Sequence, residues 1–249
     1  MRILGIDTAT ATASVALLED GQLIAERTHC DDGAAKRAPS ANSKTNHAEI
    51  ILPLVESVFQ TAPFSLTEVS GIAVSIGPGS FTGLRIGLST VKGLAYGRAI
   101  PVVGISTLLA TAARVTDFEG LICPLLDARK KEVYASLFRR RGDGLTRLTE
   151  DVVTNAIEII DLIRTIDSQS PCLFIGDGAK TYGELLTDSF KEKFHLATGD
   201  SYSSVAAAVA RLAEDNLRRA KANELGPLVP LYVRAAEAQW KMKKFGVTV

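Results

Sequence analysis

Two halves of this 249-residue chain set out the same order of elements, and that repetition constrains its fold more than any other feature. In the first half, residues 3–8, 13–18 and 22–28 are compact or alternating apolar runs that read as three short strands. The last two flank Glu19-Asp20-Gly21, a link short enough for a hairpin. A helix, a buried strand at 71–76, a long apolar helix reaching about Arg98 and a short strand at 102–105 follow. In the second half, 121–126, 132–138 and 145–152 read as strands, then 155–166 as a helix and 172–175 as a strand. The strand starts Ile3 and Ala13 recur at Leu121 and Glu132, offsets of 118 and 119 residues. A duplicated meander followed by helix and strand predicts an α/β protein.

The remaining segments complete this plan. Residues 31–44 are polar with small residues and one Pro, which reads as a surface loop. Asn46 and Glu49 have capping-box spacing, so a helix is expected to begin there. Its apolar positions Ile50, Ile51, Leu54, Val55, Val58 and Phe59 share one face, and Pro53 is expected to kink it. Ser106 caps a helix through Arg114, and 203–221 forms an Ala-rich helix. The division expected is an N-terminal lobe at 1–105, a C-terminal lobe at 106–225 and a tail at 226–249 that returns to the first lobe.

Composition narrows the function classes. Lys plus Arg equal Asp plus Glu at 28 each, so the broad basic field of a stand-alone nucleic-acid binder is missing. Three separated cysteines (Cys30, Cys123, Cys172) make no disulfide framework and suit a reducing compartment. They read as buried, inert thiols. No apolar stretch is long enough for a membrane span, and Asp7 interrupts the start too early for a signal peptide. The expected setting is the cytoplasm.

The most distinctive segment is Gly77-Pro78-Gly79-Ser80-Phe81-Thr82-Gly83-Leu84-Arg85-Ile86-Gly87, a Gly-rich turn between a strand and a helix. It fails as a dinucleotide fingerprint, because Thr82 stands at the sixth position and residues 69–116 contain no Asp or Glu. It fails as a Walker loop for want of Gly-Lys-Ser/Thr. In the helix that follows, Gly83, Ile86, Gly87, Thr90, Val91, Leu94 and Ala95 share one face, and Leu84, Leu88 and Tyr96 cover much of the rest. A helix apolar nearly all round is buried on more than one side. Gly83 and Gly87, and again Gly93 and Gly97, allow a second backbone to come close. An internal core helix and a subunit interface both satisfy this pattern.

The eleven-residue segment, continuing to Lys92-Gly93-Leu94-Ala95, resembles the signature of the TsaB (YeaZ) family. The resemblance extends through Gly5-Ile6-Asp7-Thr8, Asn46-His47-Ala48-Glu49 with Leu52-Pro53, and Asp127-Ala128-Arg129 with Glu132-Val133-Tyr134. It ends with Gly176-Asp177-Gly178 and Leu231-Tyr232-Val233-Arg234. It implies an actin/Hsp70/sugar-kinase-like (ASKHA) fold of two lobes, each a mixed sheet with flanking helices. It also implies a non-catalytic subunit in threonylcarbamoyl (t6A) modification of adenosine 37 in tRNAs reading codons that begin with A. The implied partners are a TsaD-type catalytic paralogue and a TsaE-type ATPase, with tRNA met only within the complex. ATP and metal are then used by those partners, and this chain carries no cofactor of its own. The implied pairing surface is the first two helices (46–60 and 82–98), with His47, Glu49, Ile50, Leu54, Gly79, Phe81, Thr82, Gly83, Ile86, Gly87, Thr90, Val91 and Leu94. An exposed apolar face of this kind pairs two copies in isolation. Gly87→Arg is accordingly expected to leave a folded chain that cannot pair.

Three chemistries stand against this reading. The catalytic paralogue's His-x-x-x-His pair is represented here by His47 and Ile51, and a lone His does not hold a catalytic metal. Related kinases carry Asp-x-Gly-Thr where this chain has Asp7-Thr8-Ala9-Thr10. A weak ATPase, or a vestigial nucleotide site at Asp7, Thr8, Gly176 and Gly178, is the most that remains. A serine hydrolase would use Ser75 in Ala73-Val74-Ser75-Ile76-Gly77, one residue from a nucleophile elbow, with His195 and Asp177 or Asp188 downstream. Finally, residues 211–249 carry eight Lys/Arg against four Asp/Glu, which reads as a solvated tail.

Overall fold

The computed structural model describes residues 1–30, 47–197 and 204–233. The loop expected at 31–44, the Asn46 cap and the tail beyond Val233 lie outside the described residues. The first lobe runs β1 (Arg2–Asp7), β2 (Thr12–Glu19), β3 (Gln22–Cys30), α1 (His47–Thr61), β4 (Gly71–Gly77), α2 (Phe81–Tyr96) and β5 (Val102–Ser106). Next come α3 (Thr107–Ala113) and β6 (Gly120–Asp127), followed by β7 (Val133–Ala135), β8 (Phe138–Arg141), β9 (Gly144–Arg147), β10 (Val152–Thr154) and α4 (Ala156–Ile166). The chain continues as β11 (Cys172–Ile175), α5 (Asp177–Thr181), α6 (Gly183–Phe190), β12 (Phe194–Leu196) and α7 (Val205–Arg218).

The first sheet has the order β3-β2-β1-β4-β5, an antiparallel meander joined to a parallel pair. Its strands alternate strictly. Leu4, Ile6, Val15, Leu17, Ile72 and Val74 face α1 and α2, while Ile3, Ala16, Leu18, Ala73 and Val103 face the opposite way. That opposite face is covered by α7 through Ala206, Ala207, Ala210 and Ala213. The Ala-rich helix therefore packs on the first lobe and not within a C-terminal unit at 106–225. The reason is steric. Gly5 has no Cβ, and one placed there would collide with the Ala206 carbonyl, so only small residues on both sides permit this approach.

The second sheet has the order β10-β7-β6-β11-β12, with β8 and β9 attached to β6. The strand expected at 132–138 is two strands, because Ser136 and Leu137 leave the ladder to bond Thr149. β6 then pairs with β8 through Gly120–Ile122 and with β7 through Leu125–Asp127. The span 145–152 divides in the same way into β9 and β10. The elements α5, α6 and β12 were not expected from sequence; each is short and lacks a clear period. α1 runs unbroken through Pro53, which lies in an exposed position.

α3 links the lobes. It gives Ala110 to the core under the first sheet, and Leu109 and Ala112 to the core of the second. At its N-terminus Ser106 Oγ accepts from Leu109 N, donates to Asp151 Oδ2 at 2.7 Å and accepts from Arg147 Nη2 at 3.2 Å. Asp151 also pairs with Arg147 at 2.5 Å and is largely buried, so this polar cluster ties the end of the first sheet to the second lobe.

The α7–β1 contact gives a direct test. Gly5→Ala is expected to cost about 1–3 kcal/mol of stability, the usual range for overpacking. Urea unfolding of the variant measures this, and an unchanged midpoint would show that α7 has room to shift.

Candidate docking face and interlobe cleft

The signature segment leaves β4 and enters α2 through a tightly held turn. Ser80 N donates to Ala9 O at 2.6 Å, and Ser80 Oγ accepts from Gly83 N at 3.2 Å as the helix N-cap. Thr8 Oγ1, buried, donates to the Gly83 carbonyl at 2.7 Å. A Cβ at Gly83 would strike the Thr8 carbonyl, and one at Gly87 the Thr8 hydroxyl. The first pair of glycines thus accommodates the chain's own β1–β2 turn and not a second molecule. Gly93 and Gly97 have open space around them.

This seating divides α2 into two stripes. Gly83, Leu84, Gly87, Leu88, Val91 and Ala95 are buried against the sheet. The other stripe, together with α1, forms an open groove of about 420 Å³ lined by Ala48, Leu52, Phe81, Thr82, Arg85, Ile86, Ser89 and Thr90. Leu52 and Phe81 are 53% and 48% exposed, unusual for large apolar side chains on adjacent helices. The Arg85 guanidinium lies 3.9 Å from the Phe81 ring centroid.

Of the thirteen residues expected at a pairing surface, Phe81, Thr82, Ile86 and Thr90 line this groove. Gly83, Gly87 and Val91 do not; they are buried on the reverse stripe. Leu54 and Leu94 pack on the first core, Ile50 is half-buried, and Glu49 is exposed. His47 and Gly79, with Phe81, line a different cavity. Sequence reasoning missed Leu52, Arg85 and Ser89 because it followed the densest apolar stripe. Leu52, adjacent to the stripe residue Ile51 but 100° around the helix, was the available signal.

The second cavity is the cleft between the lobes, about 660 Å³, lined among others by Ala9, Thr10, His47, Gly79, Asp127, Arg129, Tyr134 and Asp177. The four residues expected at a vestigial nucleotide site are absent from its walls. Asp7 and Thr8 are buried at the end of β1. Cβ atoms at Gly176 and Gly178 would meet Leu125 O, so these glycines serve packing against β6. Asp177 Oδ1 accepts from Asp127 N and Gly178 N, which occupies it locally. Asp7 is buried and does not line the cleft, and Ala9 stands on its wall where related kinases carry a glycine.

The residues expected of a hydrolase are not brought together. Ser75 is 1% exposed in the middle of the first lobe, whereas His195 sits on β12 at the edge of the second sheet, against Phe118. Ser75 neighbours Asp7 instead. Neither Ser75 Oγ nor Asp7 Oδ2 has a formed hydrogen bond among the described residues, yet the hydroxyl is near enough to favour the carboxylate. Burial raises the Asp7 pKa to about 6, opposed by Ser75, the Ala9 N–H and the charge of Arg114. Cys123 and Cys172 are buried, and desolvation raises both thiols, so neither is primed to react. Among the described residues no three His, Cys, Asp or Glu side chains converge, and no helix is long and apolar enough to cross a membrane.

Comparison with known proteins decides the family. A family model described as "TsaD: tRNA N6-adenosine threonylcarbamoyltransferase" matches residues 38–242. The tRNA threonylcarbamoyladenosine biosynthesis protein TsaB of Bacillus subtilis (strain 168) is 30% identical over 97% of each chain. The chain belongs to the TsaB (YeaZ) family. TsaB of Escherichia coli (strain K12) is 38% identical across 58% of each chain. The structure of YeaZ from Pseudomonas aeruginosa superposes with a TM-score of 0.70 at 24% identity, covering 93% of this chain and 99% of that one. The ROK hexokinase of Thermus thermophilus superposes at 0.51 with 11% identity over 88% and 100%. The two-lobed sugar-kinase-like fold expected from the family resemblance is the one observed.

Two predictions follow from this geometry. Gly87→Arg is expected to lower the melting temperature sharply or prevent folding, since its side chain enters the Thr8 turn; a normally folded variant would contradict the packing described. Asp7 has a folded pKa of about 6 against 3.8 ordinarily, so its charged form is disfavoured in the fold. Stability is fully present below about pH 4 and falls as pH rises toward 6. The stability of Asp7→Asn relative to the parent should therefore rise between pH 4 and pH 7, by on the order of 3 kcal/mol. Chemical denaturation across that range measures it, and a pH-independent difference would refute it.

Proposed function

We propose that this protein is a non-catalytic subunit required for t6A formation on tRNA, acting by docking a TsaD-type paralogue through the α1–α2 groove. The observation that supports this is the groove itself. It is a solvent-facing surface with Leu52 and Phe81 displayed and the half-buried Ile86 between them and the core, on a helix whose other stripe is fully used inside the chain. Aromatic, Arg and aliphatic side chains around a shallow concavity are the usual make-up of a protein interface core. The family membership supports the pathway, since its relatives are named for tRNA threonylcarbamoyladenosine biosynthesis.

In this reading threonylcarbamoyl transfer belongs to the paralogue, and a TsaE-type ATPase joins the pair. The chain carries no cofactor of its own, meets tRNA only within the complex and works in the cytoplasm. Without its paralogue the same groove pairs two copies of the chain, since covering Leu52 and Phe81 removes apolar area from water.

Leu52→Asp and Ser89→Arg test the docking reading, because both residues line the groove and lie outside the core clusters. Each is expected to weaken association with the TsaD-type paralogue by about thirtyfold or more, with an unchanged melting temperature. Cells relying on either variant should show a fall in t6A by nucleoside analysis of their tRNA. Parent-like affinity for both variants would remove the groove from consideration.

A further inference from the structure

Two residues that line the groove, Phe81 and Arg85, also touch a segment from the far end of the chain. After α7 the chain runs back across the first lobe and is held at successive points. Asn223 N donates to Val102 O, and the Asn223 side-chain carbonyl accepts from Gly104 N at 2.8 Å. Lys92 Nζ, on α2, donates to Gly226 O at 3.1 Å. Leu228 is buried in the core that α1 and α2 cover, and Leu231 N donates to Ile76 O at 2.6 Å. This path delivers Tyr232 onto the first turn of α2. Its ring centroid lies 5.4 Å from that of Phe81, and its hydroxyl accepts from Arg85 Nε at 3.1 Å.

Phe81, Arg85 and Tyr232 therefore form one cluster, each touching the other two. Phe81 and Arg85 line the groove, whereas Phe81 and Tyr232 line the interlobe cleft, so the cluster is the wall between the two cavities. The returning segment also presents apolar side chains to solvent: Val229, Leu231 and Tyr232 are 61%, 43% and 45% exposed. Of these, Tyr232 meets Phe81 directly, with Arg85 against both rings.

We propose that residues 229–232 are the second wall of the docking surface, covered by the same TsaD-type partner, and that Tyr232 is a positioning residue that holds Phe81 and Arg85 in their docking arrangement. The inference rests on the docking role given to the groove above. Its physical basis is preorganisation. Arg85 is a long, exposed side chain that loses conformational freedom when a partner covers it. Held beforehand by a ring on one atom group and a hydroxyl on another, it gives up less on binding. Arg, Tyr and Phe clustered at one point are also the residue types that concentrate interface energy.

The test is titration calorimetry of the full chain with the TsaD-type paralogue. Tyr232→Ala is expected to weaken binding about tenfold, with a melting temperature close to the parent's. Tyr232→Phe keeps the ring contact and loses only the acceptor for Arg85, so a smaller loss of about threefold is expected. Because Tyr232 acts through Arg85, the double variant Arg85→Ala/Tyr232→Ala should lose much less than the product of the two single losses. Full multiplicativity would overturn the positioning role. Leu52→Asp separates the two levels. If it binds like the parent, the groove reading itself fails; if it abolishes binding while Tyr232→Ala binds normally, only the present inference fails. Should Tyr232→Ala melt well below the parent, Tyr232→Phe decides the matter, and parent-like affinity there overturns the proposal.

Discussion

The contact of the Thr8 turn with Gly83 and Gly87 sets the geometry of the whole first lobe. Thr8 Oγ1 donates to the Gly83 carbonyl inside the protein, and neither glycine leaves room for a side chain at that contact. The contact fixes the rotation of α2 about its axis. With the glycine stripe turned inward, Phe81, Arg85, Ile86 and Ser89 face outward beside α1. A rotation of roughly 180°, half a turn of the helix, would bury the groove-lining stripe and expose the packing one. The absence of two Cβ atoms on one side of α2 thus determines what is displayed on the other.

The same packing accounts for what the interlobe cleft lacks. The end of β1 is drawn under α2, Ala9 O is taken by Ser80 N, and Asp7 is shut away beside Ser75. The raised Asp7 pKa is the electrostatic consequence of that enclosure, since burial disfavours the ionised form. Gly176 and Gly178 tell the same story in the second lobe, where they sit against the Leu125 carbonyl. The exposed stripe of α2 and the enclosure of Asp7 and Thr8 have a common structural origin in the close seating of α2.

Much of this was readable in the residues. The strand runs of β1, β2 and β4, the Ser106 cap and the repeated order of elements are local properties, and they appear where the residue patterns place them. The Gly-rich segment was identifiable as the place of interest. Its orientation was not. Gly83 and Gly87 satisfy an internal contact and an external one equally well on a helical wheel; the family resemblance placed them on the pairing surface, and the structure seats them on the Thr8 turn. α7 was misplaced for a similar reason: an Ala-rich helix is compatible with any closely approaching sheet, and its neighbour, β1, lies some two hundred positions away in the chain. Leu52 was passed over because it stands 100° off the apolar stripe that drew the reading.

Residue order alone settled the class of fold, the family, and the positions of the main helices and strands, because each depends on short-range spacing or on an unbroken motif. It was three-dimensional packing that assigned inside and outside to α2, brought Tyr232 back onto Phe81 and Arg85, and enclosed Asp7 and Ser75. Those outcomes depend on groups separated by tens to hundreds of residues competing for the same few ångströms, and such competition is decided by volume and hydrogen bonding between neighbours in space, which linear order does not encode.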